Sequence, residues 1–260
     1  MSSLATKTGA VLRTEGLTIS FGGHVAVDAV SCEFQPGSLT SIVGPNGAGK
    51  TTYFNLISGQ LRATAGRVLL GDEDITGLPA PYRTRRGLGR AFQLTNLFPN
   101  LSVLENVRLA VQARMGKGMN LLSMAISHRE LSDAAWSYLE RVALTQMAQS
   151  PAASLPHGDQ RKLEVAILLA LEPQIFMFDE PTAGMSVDEV PVILDLIRSI
   201  KAQGDKTVLL VEHKMDVVRS LSDRIVVLHN GKLVADGEPA EVIASPIVQQ
   251  AYLGMGSGDE

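Results

Sequence analysis

The most constraining feature of this chain is a junction. The short apolar run Leu39 to Val43 ends at Gly44-Pro45-Asn46-Gly47-Ala48-Gly49-Lys50-Thr51, and Lys50 to Ser58 then reads as a helix stopped by Gly59. Strand, glycine loop and helix follow in that order. The spacing G-x-x-x-x-G-K-[ST] is matched by Gly44, Gly49, Lys50 and Thr51. Glycines let the backbone wrap closely and aim its N–H groups at phosphate oxygens, and the helix turns its positive N-terminal end on the same anion. Lys50 is placed to reach the β and γ phosphates, and Thr51 to offer a hydroxyl to Mg²⁺. Pro45, Asn46, Gly47 and Ala48 complete the cradle, and Thr52 follows in the first helical turn. A chance match in a chain this long is on the order of one per cent. The plain alternative, a glycine turn beside an unrelated lysine, leaves the strand-loop-helix context unaccounted for.

The rest of the chain fits an α/β sheet. Ile175 to Phe178 and Thr207 to Val211 are apolar on both faces, and Val190 to Lys201 between them is helical. Such alternation implies a parallel sheet covered on both sides. Before the junction, Val11 to Ile19 and Ala26 to Phe34 read as strands around the turn Gly22-Gly23; Arg67 to Leu70 is a further strand before the turn Gly71-Asp72. Ile225 to Leu228 and Leu233 to Ala235 flank Asn230-Gly231, a hairpin signal. From Leu94 to about Ser154 the spacing is helical. Ser127 with Glu130 fits a capping box, and Leu131, Ala135, Tyr138, Leu139 and Val142 behind it form one apolar stripe, read as core packing. Trp136 lies off that stripe and is assigned nothing. Pro239 to Leu253 is expected to be helical, and the first eight or nine residues and Ser257 to Glu260 are expected to be loose.

A second chemical element is Ile175-Phe176-Met177-Phe178-Asp179-Glu180. A buried strand delivers Asp179 to its end, where ligands gather in open α/β sheets. A carboxylate there can hold the shell of Mg²⁺, and Glu180 can orient or deprotonate an attacking water. The competing reading, a pair of helix-capping acids before Pro181, loses ground beside the glycine loop. Composition sets outer limits. Of 260 residues 45% are hydrophobic and 19% charged, ordinary for a soluble globular chain, and the net charge of −4 shows no basic excess of the kind nucleic-acid binding favours. The one cysteine, Cys32, cannot form an intramolecular disulfide. Met1 to Ala10 lacks the apolar core of a secretory signal, and the longest apolar run, Val165 to Leu171, falls far short of the ~20 residues that span a bilayer. The chain is therefore expected to be soluble by itself, held at any membrane by other chains. His24, His128, His157 and His229 show no metal-ligand spacing, so surface or turn positions are the default. His157 is the exception, because it lies in the segment Leu155 to Gln160, but phosphate contact by it is the lesser reading. Arg83, Arg85, Arg86 and Arg90 read as a solvated basic face.

The glycine loop alone defines only a phosphate-binding class. An Asn-Lys-x-Asp element for guanine is missing from the sequence, which disfavours a GTPase. Three further segments narrow the choice: Gln93 in Arg90-Ala91-Phe92-Gln93, the helix opening Leu155-Pro156-His157-Gly158-Asp159-Gln160-Arg161-Lys162, and His213 after the strand Val208 to Glu212. With these the chain resembles the ATP-binding subunits of ABC transporters from about Val11 to Gly254. The resemblance implies a P-loop NTPase (RecA-like) core with a mostly parallel sheet, an N-terminal antiparallel β subdomain and a helical subdomain. It implies one cassette over 11–254, with core 11–93 and 168–240, helical subdomain 94–167 and C-terminal helical tail 241–254. It also implies roles: Phe21 would stack on adenine, Gln93 would touch Mg²⁺ or water, Glu180 would be the catalytic carboxylate, and His213 would contact the γ-phosphate. The Mg²⁺ ligands would be Thr51, Gln93 and Asp179. Leu155 to Gln160, with Leu155 and Gly158 matched, would close over ATP held by a partner subunit.

The departures are informative. Where the family's signature is Leu-Ser-Gly-Gly-Gln, Pro156 replaces the serine, His157 the first glycine and Asp159 the glutamine. The hydroxyl is lost, and proline also lacks an N–H. Ser186 lies where the family's D-loop aspartate is expected, with Asp188 two residues on. These features, with Phe21-Gly22-Gly23, Gly87 to Gln93 and the ending Ala251 to Gly254, resemble the larger ATP-binding subunit of branched-chain amino acid importers; urea importers look much the same. The expected function is an ATPase that energises import. Its partners would be permease subunits and a second cassette, identical or not, at the cytoplasmic face of the inner (plasma) membrane, with no nucleic acid expected. The readings set against it are a cytosolic ABC-type ATPase acting on nucleic acid or ribosomes, whose usual tandem cassettes or coiled-coil insert are not seen, and a regulatory module that does not hydrolyse ATP.

Overall fold

The computed structural model describes residues 9–91, 97–115 and 124–253. Two sheets are built around one helix. The N-terminal strands β1 (Leu12–Phe21), β2 (His24–Phe34), β4 (Ala65–Leu70) and β5 (Glu73–Asp74) form an antiparallel sheet in the order β2-β1-β4-β5. The second sheet has six strands, β3 (Leu39–Val43), β6 (Leu88–Ala91), β7 (Ile175–Asp179), β8 (Thr207–Val211), β9 (Arg224–His229) and β10 (Lys232–Gly237), in the order β10-β9-β3-β8-β7-β6. All its neighbours pair in parallel except β9 with β10, the hairpin at Asn230-Gly231, where both turn residues take positive φ. Each residue of β3, β7 and β8 is buried, as strands covered on both faces require.

Helix α1 (Lys50–Ser58) fills the space between the sheets. Tyr53, Phe54, Leu56 and Ile57 are buried there, each contributing roughly 1.5–3 kcal/mol of apolar transfer. The Tyr53 hydroxyl meets Thr14 Oγ1 at 2.7 Å, and Thr14 Oγ1 accepts from the Cys32 N–H at 3.0 Å, so α1 is fastened to the antiparallel sheet. Burial pushes the Cys32 thiol up to about 11, which leaves it an unreactive core group. On the other face of the parallel sheet lie α3 (Val103–Arg114), α4 (Met124–Arg141), α5 (His157–Ala170) and α6 (Val190–Lys201), with α7 (Met215–Leu221) beside α6. Helix α5 runs across residue 167, where the sequence reading divides the helical subdomain from the core. The C-terminal stretch is helical but broken at Ser245 into α8 (Pro239–Ala244) and α9 (Pro246–Leu253), as Pro246 requires. Among the described residues no helix is long and apolar enough to cross a membrane. The expected loose ends, 1–8 and 257–260, lie outside the described residues.

Two local expectations are corrected. Helix α4 already runs through Met124 to Ile126, so Ser127 sits inside it and does not cap it. The same Ser-x-x-Glu pattern does its capping one helix earlier, where Ser102 Oγ accepts the Glu105 N–H ahead of α3. The apolar stripe of α4 is buried as its spacing predicts, and Trp136 is exposed. The second correction concerns the arginines. Arg85 and Arg86 are exposed, but Arg83, in α2 (Ala80–Arg85), is 2% exposed. Its guanidinium donates to the carbonyls of Leu78, Leu56, Ile57 and Thr76 at 2.6–2.7 Å. Leu56 and Ile57 belong to the last turn of α1, so Arg83 supplies the cation that this turn lacks in its own sequence. Burial pulls its pKa down to about 10, still fully charged at neutral pH. Arg83→Met should therefore destabilise the fold by about 2–4 kcal/mol, since charge-assisted bonds are lost and buried carbonyls left unpaired; the urea midpoint measures it.

Candidate active site

The parallel pairing brings together what the sequence spreads over 170 residues. Strands β3, β8 and β7 lie side by side, so the loops leaving their C-terminal ends converge. From β3 comes the glycine loop. Gly49 caps α1 at φ 95°, and a Cβ there would lie 2.5 Å from the Ala26 carbonyl oxygen, so only glycine fits. The Gly231 N–H donates to Ala48 O at 3.0 Å, which braces the loop against the β9–β10 hairpin. Helix α1 has no side-chain cap and no acidic residue in its first turn. That leaves its N-terminal amides open to an anion, and the cradle fits a phosphate chain. Gly44, Pro45 and Ala48 are buried, and Asn46 and Gly47 are exposed. Lys50 is buried, its Nζ donating to Gly44 O at 2.7 Å and Pro45 O at 2.8 Å. Burial lowers its pKa, and the nearby Glu180 and Asp179 push it back up. Thr51 is exposed and Thr52 half-buried at the same end of α1.

From β7 comes the acidic pair. Asp179 is buried and paired with Arg90 of the neighbouring β6 at 2.7 Å. Burial raises its pKa and the guanidinium counters that rise. Arg90 also donates to Asn55 Oδ1 at 2.7 Å and Ser58 Oγ at 2.8 Å, so it binds β6, α1 and β7 together and is no solvated surface charge. Glu180 follows at φ 50°, a left-handed conformation that costs a non-glycine residue roughly 1–2 kcal/mol. The turn swings its side chain out of the sheet. Its Oε1 lies 2.7 Å from Nε2 of His213, which leaves β8 alongside, and both side chains are about two-fifths exposed, 41% and 42%. The structure thus brings Lys50, Asp179, Glu180 and His213 to one sheet edge. Gln93, beyond β6, lies outside the described residues.

Two further groups come from other elements. Phe21 is 49% exposed at the end of β1. The signature segment opens α5 with Pro156 at the cap, where a missing N–H costs nothing. Leu155 is buried and Gly158 is covered by Glu189, whose carboxylate oxygens would lie 2.4 Å from a Cβ on that glycine. Glu189 Oε2 accepts from the Ser186 N–H and Oγ, both at 3.0 Å, and Oε1 pairs with Lys162 at 3.2 Å. The His157 ring lies against Gly184. The signature helix is therefore locked to the loop after β7 within one subunit. His24 is exposed and His229 half-buried, and the side chain of His128 is outside the described residues.

Sequence reasoning missed Glu212, Arg90 and Glu189 as parts of this machinery. Glu212 was legible in principle: it ends an apolar strand just as Asp179 does. The residue is 3% exposed, and its carboxylate accepts from the Thr182 hydroxyl on one converging loop and from the His213 N–H on the other.

Comparison with known proteins agrees with this geometry. The family model described as ABC transporter matches residues 27–183. The high-affinity branched-chain amino acid transport ATP-binding protein LivG of Escherichia coli (strain K12) is 39% identical over 249 residues, covering 94% of this chain and 98% of that protein. Among solved structures, the ADP conformation of an ATP-binding cassette of an ABC transporter superposes with a TM-score of 0.78 at 31% identity, covering 94% of this chain and 99% of that one. A dimeric post-hydrolysis state of an ATP-binding cassette bound to ADP and Pi gives 0.76 at 27% identity, over 88% and 98%. Lys50→Ala should weaken nucleotide binding at least about tenfold, because the cradle loses its one cationic side chain. Titration with a fluorescent nucleotide checks this, and unchanged affinity would contradict the cradle.

Proposed function

The chain belongs to the ABC transporter family, and from that premise we propose that it is the ATP-hydrolysing subunit of an importer for branched-chain or chemically similar amino acids. The observation that carries the catalytic half is the Glu180–His213 contact at 2.7 Å, at the edge where the glycine loop also ends. The name and 39% identity of the Escherichia coli relative support the cargo.

On this reading the glycine-loop amides and Lys50 bind the phosphates, and Phe21 stacks on adenine. Lys50 exchanges its two loop carbonyls for phosphate oxygens. Glu180 accepts the proton of the attacking water at a carboxylate oxygen, with His213 Nε2 holding that carboxylate and meeting the γ-phosphate. Thr51 and Asp179 are hard oxygen donors suited to Mg²⁺, together with Gln93. Among the described residues no cluster of three or more His, Cys, Asp or Glu could hold a metal; with nucleotide bound, phosphate oxygens would be the further hard donors. The ion, when bound, neutralises charge on the phosphates.

The proposed organisation is a single cassette over 11–254 that works in pairs. Each nucleotide is bound by one subunit's glycine loop and covered by the other's Leu155-to-Gln160 segment. A dimeric cassette in its post-hydrolysis state is among the structural relatives. Closure on ATP and release on hydrolysis would move permease subunits, with the chain peripheral at the cytoplasmic face of the inner membrane.

Glu180→Gln should lower turnover at least about 100-fold while retaining ATP, because the water-activating group goes and the cradle stays. Phosphate release and nucleotide retention are the measurements; undiminished hydrolysis removes Glu180 from its role. Expressed with its genomic neighbours, the chain should co-purify with multispanning membrane subunits, and recovery only with ribosomes or nucleic acid would sink the transport reading.

A further inference from the structure

Strands β7 and β8 pair in register from Ile175↔Thr207 to Asp179↔Val211. One more ladder bond follows, from the Glu180 N–H to Val211 O at 2.9 Å. There the regular pairing ends: Glu180 turns into the left-handed region and the other chain leaves β8. The two side chains that must meet, Glu180 and His213, stand just past the last ladder bond. An open pair of loops would not hold them to a fixed distance.

Glu212 takes over where the ladder stops. Its Oε1 accepts from Thr182 Oγ1 at 2.5 Å, on the chain leaving β7. Its Oε2 accepts from the backbone N–H of His213 at 2.9 Å and of Lys214 at 3.3 Å, on the chain leaving β8. Glu212 is 3% exposed and Thr182 1% exposed, so the Thr182 bond forms out of water, where charge-assisted bonds are strong, and the two N–H bonds are partly buried. Each carboxylate oxygen serves one loop. A carboxylate suits the position because it accepts on both oxygens.

We propose that Glu212 is the positioning residue of this site, a buried clamp that fixes the His213 loop against the turn bearing Glu180. The proposal rests on the ATPase reading above. Glu212 touches neither nucleotide nor water in it; the residue acts by holding His213 where Nε2 meets Glu180.

The test is steady-state MgATP hydrolysis by the full chain, in wild-type and His213→Ala backgrounds. Glu212→Ala should lower kcat about ten- to 100-fold, the scale expected when reacting groups shift by about an ångström, with nucleotide affinity held within about twofold. In the His213→Ala background the same substitution should cost less than about threefold, because the group it positions is gone. Glu212→Gln should stay within about threefold of wild type, since its carbonyl can accept the two N–H groups and its amide can donate to the Thr182 hydroxyl. Thr182→Val, which keeps the shape and removes one anchor, should lower kcat by about threefold or more. It also decides the matter if Glu212→Ala does not fold. Equal losses in both backgrounds, a parallel loss of nucleotide affinity, or full turnover in Glu212→Ala or Thr182→Val overturns the positioning role while leaving the ATPase reading intact. A wild-type chain without hydrolysis defeats that reading and this proposal with it.

Discussion

The whole site depends on the parallel pairing of β3, β8 and β7. Parallel strands end at the same edge of a sheet, so the loops that follow them meet there, whatever their distance in sequence. The glycine loop, the Asp179-Glu180 turn and the His213 loop owe their meeting to ladder bonds between buried apolar strands. The core clusters cover both faces of the sheet, and every residue of β3, β7 and β8 is buried between them. Catalytic geometry is thus a by-product of hydrophobic burial, refined afterwards by polar contacts.

That refinement is done by buried charges placed where regular structure stops. Arg83 closes the C-terminal turn of α1 with contacts to two of its carbonyls, Leu56 and Ile57, and ties it to Thr76 and Leu78 with two more. Arg90 joins Asp179 to the same helix through Asn55 and Ser58. Glu212 spans the gap past the last β7–β8 ladder bond. In each case a side chain satisfies backbone groups or partners that no neighbouring strand or helix could reach. These charges tie α1, the acidic strand and the histidine loop to one another.

The difference between these two layers explains what could be read from the sequence. Helix α1, β8 and α6 stand at the residues their patterns assign, because apolar periodicity, glycine stops and β-branched runs are local signals. The stripe on α4 was legible for the same reason. Arg85 and Arg86 are exposed as read, but Arg83 and Arg90 were misread because composition cannot tell a solvated cation from one buried against another element. Ser127 was misread because Ser-x-x-Glu occurs both at Ser102 and at Ser127, and only the chain before it decides which is a cap. Glu212 gave a signal, an acid closing an apolar strand, but its partners Thr182 and Lys214 belong to different loops. Contacts between loops are set by topology, and spacing does not encode them.

The departures in the signature and D-loop segments have the same physical logic. Aspartate at position 186 would set a second carboxylate beside Glu189, which already faces Gly158 and pairs with Lys162. Serine instead gives that carboxylate two donors, its N–H and its hydroxyl. Proline at 156 stands at the cap, where the lost N–H has no helical acceptor to miss, and its fixed φ suits the entry into α5. With Glu189 covering Gly158 and pairing with Lys162, the start of α5 is fastened to the loop from Gly184 to Glu189. That loop continues directly from Glu180. The turn at Glu180 and the start of α5 are therefore linked within one chain, through ion pairs and a glycine contact.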